Sequence, residues 1–224
     1  MTGQEMVDEV RASIQRSTAA ISDARILRRI NWGQEGVAAA HTFYEMRTTY
    51  AFSTVISQKA YALPARVKEV YSIRLISGSE SRKLERIQER EFDKKVPYPE
   101  DISTSKSLFY VDFSASSLDF FPIPDAVYSI SMRYSAFPAD LTLTTASTLS
   151  YKDSLLVNLG IAHCFYLLRE EEEANTWFGG IVAKLYAEAV NADSQREVVD
   201  NSSVARPFGI VGRQLRDYKS PFTE

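Results

Sequence analysis

The sequence predicts an α+β protein: N- and C-terminal helices packed as a helical bundle, an inserted and mainly antiparallel β subdomain, and an extended C-terminal arm. Three observations carry this. Apolar residues recur near helical spacing at the start of the chain and again over residues 150–193. Between these stretches lie runs in which apolar and polar residues alternate with a period of two. Beyond residue 193, Ser, Asn, Gly and Pro dominate and apolar residues are sparse. The expected division is 1–42 for the N-terminal helices, 43–149 for the β-rich insertion, 150–193 for a helix pair completing the bundle, and 194–224 for the arm.

Residues 4–41 read as helix, with Met6, Val10, Ile14 and Ile21 near helical spacing and a break around 18–22. Ser22 suits an N-cap, since its hydroxyl can accept a bond from a free backbone N–H. The next helix carries Ile26, Leu27, Ile30 and Val37, while Gly33 and Gly36 weaken its later half. Strands follow. Tyr44, Met46, Tyr50, Phe52 and Ile56 share one parity, and Glu45, Arg47, Thr49 and Ser53 hold the other. Tyr71, Ile73 and Leu75 alternate with Ser72 and Arg74. The clearest alternation sets Tyr128, Ile130, Met132 and Tyr134 against Ser129, Ser131 and Arg133. Residues 108–113 and 118–123 read as a hairpin linked by small residues. One-sided alternation favours antiparallel pairing, because parallel sheets are usually buried on both faces. Ser77-Gly78-Ser79 reads as a turn.

One helix is expected inside this region, over 79–95, with Leu84, Ile87 and Phe92 on its apolar side and Pro97 and Pro99 stopping it. Later, Ser150-Tyr151-Lys152-Asp153 resembles a capping box. Leu155, Leu156, Leu159, Ala162, His163 and Tyr166 then line a broad stripe. The acidic run Glu170, Glu171, Glu172 and Glu173 straddles a turn and opens the next helix, where carboxylates meet the positive end of the macrodipole. Trp177, Phe178, Ile181, Val182, Leu185, Tyr186, Ala189 and Val190 continue at helical spacing. Gly179-Gly180 inside that pattern suggests close helix packing. Ordering a backbone residue costs roughly 1–2 kcal/mol. An arm this poor in apolar groups recovers that cost only against a partner.

Composition narrows the function classes. The formal net charge of -3 gives no reason for nucleic-acid binding over the whole surface and leaves room for a local basic patch. No apolar run approaches the roughly 18 residues of a membrane-spanning helix. Met1 to Arg11 has no signal-peptide core, and one cysteine permits no internal disulfide, so the chain is expected to stay in a cytoplasm. Asn201-Ser202-Ser203 is then a chance match to a glycosylation acceptor. Twelve Tyr, twelve Phe and two Trp suit surfaces half buried against a partner.

Enzymatic readings are weak, and no catalytic, metal or cofactor site is expected. His163 and Cys164 are adjacent and would point about 100° apart on a helix, poorly placed to act on each other. Only His41 and His163 could offer imidazole to a metal, and neither paired Cys nor His-Glu-x-x-His occurs. A Gly-x-Ser-x-Gly elbow and a phosphate-cradling Gly-rich loop are absent. Arg82, Lys83, Arg86, Arg90, Lys94 and Lys95 could touch phosphates, but Glu80, Glu85, Glu89, Glu91 and Asp93 interleave with them and nearly cancel their field.

The ordered series of local motifs resembles the head-to-tail adaptor (head-completion, or connector) proteins of tailed bacteriophages. Tyr61-Ala62-Leu63-Pro64 is similar to that family's Tyr-x-Leu-Pro step before a strand. Lys83-Leu84-Glu85-Arg86-Ile87, with Glu91-Phe92-Asp93, resembles its short charged helix. The run from Leu118 through Pro122-Ile123-Pro124-Asp125 resembles its strand ending in Pro-x-Pro-Asp. Val127 to Tyr134, then Phe137-Pro138-Ala139-Asp140-Leu141, resembles the next strand and its exit. Tyr151-Lys152-Asp153-Ser154-Leu155-Leu156 stands where the family begins its paired C-terminal helices. The likeness covers about residues 20–192. It departs at Ser105-Lys106-Ser107, where the family often has Gly and Pro, and at Ser116-Ser117, where a Gly is common.

The resemblance implies a non-enzymatic virion protein, assembled in the host cytoplasm and placed in the neck of the particle. It implies a ring of about twelve copies between portal protein and tail or nozzle proteins, with double-stranded DNA passing through its channel. It places portal contact on the arm, at Arg206, Pro207, Phe208, Ile210, Val211 and Arg213. The exposed strands would supply subunit or tail contacts at Tyr44, Tyr50, Phe120, Phe121 and Arg86. The alternatives are another neck or tail-completion protein, a phage DNA-processing enzyme, and an adaptor module of a cellular secretion apparatus.

Overall fold

Helix α1, Gly3–Ile14, and helix α2, Asp23–Ala40, form where the apolar spacing predicts them. The computed structural model describes residues 1–15, 20–99, 102–114 and 116–202. The start of α1 is fixed by a capping box that the periodicity did not single out. Thr2 accepts a bond from the Glu5 amide, and the Glu5 carboxylate accepts one from the Thr2 amide at 2.8 Å. Ser22 occupies the N-cap position of α2 as expected, but its side chain makes no capping bond.

Seven strands follow, interrupted by one short helix: β1 Arg47–Ser53, β2 Ala60–Ala62, β3 Val67–Ser77, β4 Glu80–Arg86, α3 Glu89–Lys95, β5 Phe109–Ser114, β6 Ser117–Phe121 and β7 Ser129–Ala136. The chain then returns to helix, with α4 Asp153–Leu167, α5 Glu171–Thr176 and α6 Ala183–Ser202. Met6, Val7, Val10 and Ile14 of α1 share a buried cluster with Ile26 and Ile30 of α2 and Leu156, Val157, Ile161 and Cys164 of α4. A neighbouring cluster joins Val37 and Ala38 to Leu155, Leu159, Ala162 and Val182. Gly33, expected to weaken α2, is instead a notch for α4. A Cβ there would lie 2.9 Å from Leu159, and one on Gly160 would lie 2.8 Å from Ile30.

Several expectations need correction. Residues 79–95 are not one helix but strand β4 followed by α3. Ser77 pairs with Glu80 across a two-residue turn led by Gly78, whose φ of +58 suits glycine. That turn folds 80–86 back onto β3, and Leu84, the buried residue of β4, meets Ile73 on the inner face. Ser150 does not cap α4; Lys152 holds the N-cap position without a side-chain cap bond. Gly179-Gly180 marks no close packing, since a Cβ on either would meet nothing within 4 Å. The helix instead widens into a π-helical turn over Trp177–Val182. Helix α6 continues to Ser202, past the expected start of the arm. The acidic run behaves as expected, with Glu170 at the N-cap of α5 and Glu171, Glu172 and Glu173 in its first turn.

The strands make one sheet in the order β1-β7-β3-β4-β5-β6-β2. Every pairing is antiparallel except β4 with β5, which runs parallel over Glu85↔Phe109 and Arg86↔Tyr110. The sheet curls until its two edges face each other. Phe52 on β1 lies 5.7 Å from Tyr61 on β2 and 6.1 Å from Phe120 on β6, between ring centroids. Inside the curl Tyr61, Ile73, Leu75, Leu84, Tyr110, Leu118, Phe120, Ile130 and Met132 are buried together. The opposite face of β5 and β6 is covered as well. There Phe109, Val111 and Phe121 pack under α3 through Ile87, Phe92 and Val96. The Phe121–Pro122 peptide is cis.

Candidate functional site

Where the helices meet the sheet, buried charges tie three distant parts of the chain together. Lys152, at the start of α4, donates to both Glu45 oxygens at 3.0 and 2.9 Å. Arg196 of α6 donates to the same carboxylate at 3.1 Å. Asp193, one turn earlier on α6, accepts from the Tyr44 amide at 2.9 Å and lies 3.0 Å from His41 Nε2. The Glu45 and Lys152 side chains keep only 12% and 9% of their exposure, so water screens this pair weakly. Tyr44 stays half exposed between two guanidinium groups, Arg47 at 5.6 Å and Arg196 at 5.5 Å from its ring. Arg47 also stands 5.7 Å from the Tyr71 ring. The seam thus positions an arginine–tyrosine strip at the root of β1.

β1 itself lies on the open edge of the sheet, with β7 as its ladder partner. Its residues are exposed apart from the half-buried Phe52. Such an edge is a template for pairing with another chain unless something covers it. Beyond β1 the chain makes an apolar tip, where Val55, Ile56 and Val127 are 53%, 57% and 64% exposed. The tip is shaped by Thr54, whose hydroxyl donates to the Ala126 carbonyl at 2.9 Å. The buried Tyr61 hydroxyl also accepts from the Val55 amide at 2.9 Å. Burial raises the Tyr61 pKa, so this anchor stays a neutral phenol.

The expected contact residues separate into surface and core. Tyr44 lies in the seam, and Tyr50 is half exposed and stacked 5.4 Å from Phe52. Arg86 is exposed and paired with Asp112 at 2.7 Å. Phe120 and Phe121 are corrected to core residues at 0% and 3% exposure, one inside the curl and one beneath α3. Tyr44, Tyr50 and Arg86 do not form one site. Arg206, Pro207, Phe208, Ile210, Val211 and Arg213 lie outside the described residues. Sequence reasoning passed over Glu45, Lys152, Asp193, Val55, Ile56 and Val127. The exposed apolar tip had a usable signal, adjacent apolar residues next to Pro and Asp turns, while the seam had none.

Cys164 is fully buried, and burial pushes its thiol from 9.0 up to about 11, against a smaller opposing pull from Arg29 and Arg11. His163 packs edge-on against Phe178 at 5.1 Å, and burial lowers its pKa, keeping the ring neutral. No group of three or more His, Cys, Asp or Glu side chains among the described residues could hold a metal. The raised thiol pKa has a signed consequence. An unfolded chain ionises Cys164 above about pH 9 while the folded one does not, so its contribution to stability falls as pH rises from about 9 to about 11. Native Cys164 will label with iodoacetamide at pH 8 at least about 100-fold more slowly than in denaturant. Equal rates would contradict this burial.

An end strand of the sheet, an apolar tip and an arginine–tyrosine strip are thus surfaces that the described residues leave exposed on a well-packed body. The chain belongs to the SU10 adaptor protein family, whose profile matches residues 1–207. That is a phage head-to-tail adaptor family, so the chain is a bacteriophage adaptor and a structural protein of the virion. No curated protein matches it. No helix among the described residues is long and apolar enough to cross a membrane.

Proposed function

We propose that this protein forms a ring of about twelve copies between the portal vertex and the tail, with each subunit meeting its neighbour through two different surfaces. The ring closes the head-to-tail junction, offers the docking site for the tail or nozzle proteins, and leaves an axial channel for double-stranded DNA. Its action is binding and assembly, with no reaction catalysed. The carrying observation is β1, an end strand of the sheet with every residue but Phe52 exposed, a surface that is unfavourable in a free chain and that a neighbouring subunit would cover. Tyr44 and Tyr50 fall at this edge and serve subunit or tail contact, and Arg86 serves it from the far side of the sheet. The segment with Arg206, Pro207, Phe208, Ile210, Val211 and Arg213 is the portal-binding arm in this reading.

Deletion of the gene tests the reading. Cells infected with the deletion phage should accumulate DNA-filled heads that leak their genome and carry no tails, seen by negative-stain microscopy. Normal tailed particles, or empty heads arrested before packaging, would contradict it.

A further inference from the structure

The outer face of the sheet carries a set of like charges that the fold does not neutralise. Arg74 on β3 stands directly opposite Lys83 on β4 and, on its other side, opposite Ser131 on β7. Arg133 lies two residues beyond Ser131 and therefore on the same face. Ile73, Leu75 and Met132 are buried on the inner face, which turns these three cations outward, and all three are exposed. None of them has an ion-pair partner among the described residues. Other cations of the insertion do pair, Arg86 with Asp112 and Lys106 with Glu80. Glu69 and Glu85 share the outer face by register. Like charges directly opposite one another destabilise a sheet.

A matching acidic surface lies elsewhere on the chain. Glu171, Glu172 and Glu173 are exposed at the α4–α5 corner and have no ion-pair partner among the described residues. Helix α4 begins beside the sheet, where Lys152 binds Glu45, and its 15 residues carry the corner about 22 Å away. Among the described residues no ion pair joins the two surfaces within one chain.

We propose that the basic face formed by Arg74, Lys83 and Arg133 docks the Glu171–Glu172–Glu173 corner of a second copy of this chain. The contact is heterologous, one surface against a different one, which is the geometry that builds a ring. The inference rests on the ring reading above and supplies it with a specific interface. The exposed and unpaired carboxylates of the Glu171–Glu172–Glu173 corner complement the three cations, and this complementarity favours a second copy as the occupant.

The test uses charge reversal in full-length protein, supplied in trans to a phage lacking the gene. One variant carries Arg74→Glu with Arg133→Glu, the other Glu171→Lys with Glu172→Lys. Each alone should cut the yield of tailed particles at least about 100-fold, because every interface then sets like against like. Expressed together they should restore yield to within about 10-fold of wild type, because each reversed surface meets its complement on the other variant. Thermal melts check that both fold, and the neutral pairs Arg74→Gln with Arg133→Gln and Glu171→Gln with Glu172→Gln repeat the one-sided losses should a reversal not fold. Wild-type yield from either reversal alone would overturn the interface. So would folded variants that fail singly and do not rescue each other, and if wild-type protein then binds duplex DNA in a salt-dependent way, DNA takes the basic face instead. Failure of the adaptor reading is distinct, because wild-type protein would then be missing from purified particles whatever the variants do.

Discussion

Phe120→Ala is expected to lower the unfolding free energy by about 3–5 kcal/mol, the usual cost of emptying a large aromatic site in a core. The ring is fully buried and touches both edges of the curled sheet, 4.9 Å from Tyr61 and 6.1 Å from Phe52. Its loss removes apolar burial and the aromatic contacts that draw β1 toward β2 and β6. Since domains are stable by only about 5–15 kcal/mol, the variant should melt far below the wild type and expose Tyr50 and Phe52 further. Urea unfolding followed by tyrosine fluorescence and circular dichroism measures the change. A loss under about 1 kcal/mol would mean that the curl does not depend on this ring.

Glu45→Ala should be the second most damaging change, at about 3 kcal/mol, because it strands Lys152 in a place where water reaches only 9% of its side chain. It also frees Arg196 and with it one of the links between α6 and the root of β1. Replacing both partners with apolar groups, Glu45→Leu with Lys152→Met, should cost much less, since no charge is then left buried alone. A double-mutant cycle on thermal stability reads the coupling. Additive losses would show that the two side chains act independently.

The legible parts of the fold were those whose burial is one-sided. β7 alternates from Ser129 to Tyr134 because Ile130, Met132 and Tyr134 face the curl while Ser129 and Arg133 face water. The α+β class and the order of the elements follow from such runs. Residues 79–95 misled because Leu84, Ile87 and Phe92 sit at spacings that suit a helix, while the deciding contact is with β3, outside the segment. Reading that stretch as a helix also made its charges look cancelled. As strand β4, alternate residues go to opposite faces, and Lys83 joins Arg74 on the outer one. Phe120 and Phe121 misled differently. Both were expected as contacts on exposed strands; neighbours on a strand point to opposite faces, and here the curl buries Phe120 while α3 over β5 and β6 buries Phe121.

The candidate surface was less legible than the fold. Tyr44 and Tyr50 could be picked out as aromatics of one expected strand; Tyr50 lies on β1, Tyr44 instead stands in a 3-10 turn just before it, and both are half exposed. The seam that positions them was hidden, because Tyr44 and Glu45 lie more than 100 residues from their partners Lys152, Asp193 and Arg196, and each charge looks like ordinary surface charge. Their burial is a property of the assembled helices.

Quantitative mass spectrometry of purified virions, measuring copies of this chain relative to portal subunits, tests the central claim most directly. A neck ring matched to the portal predicts a ratio of about one to one. Absence of the chain from mature particles would contradict its place in the neck.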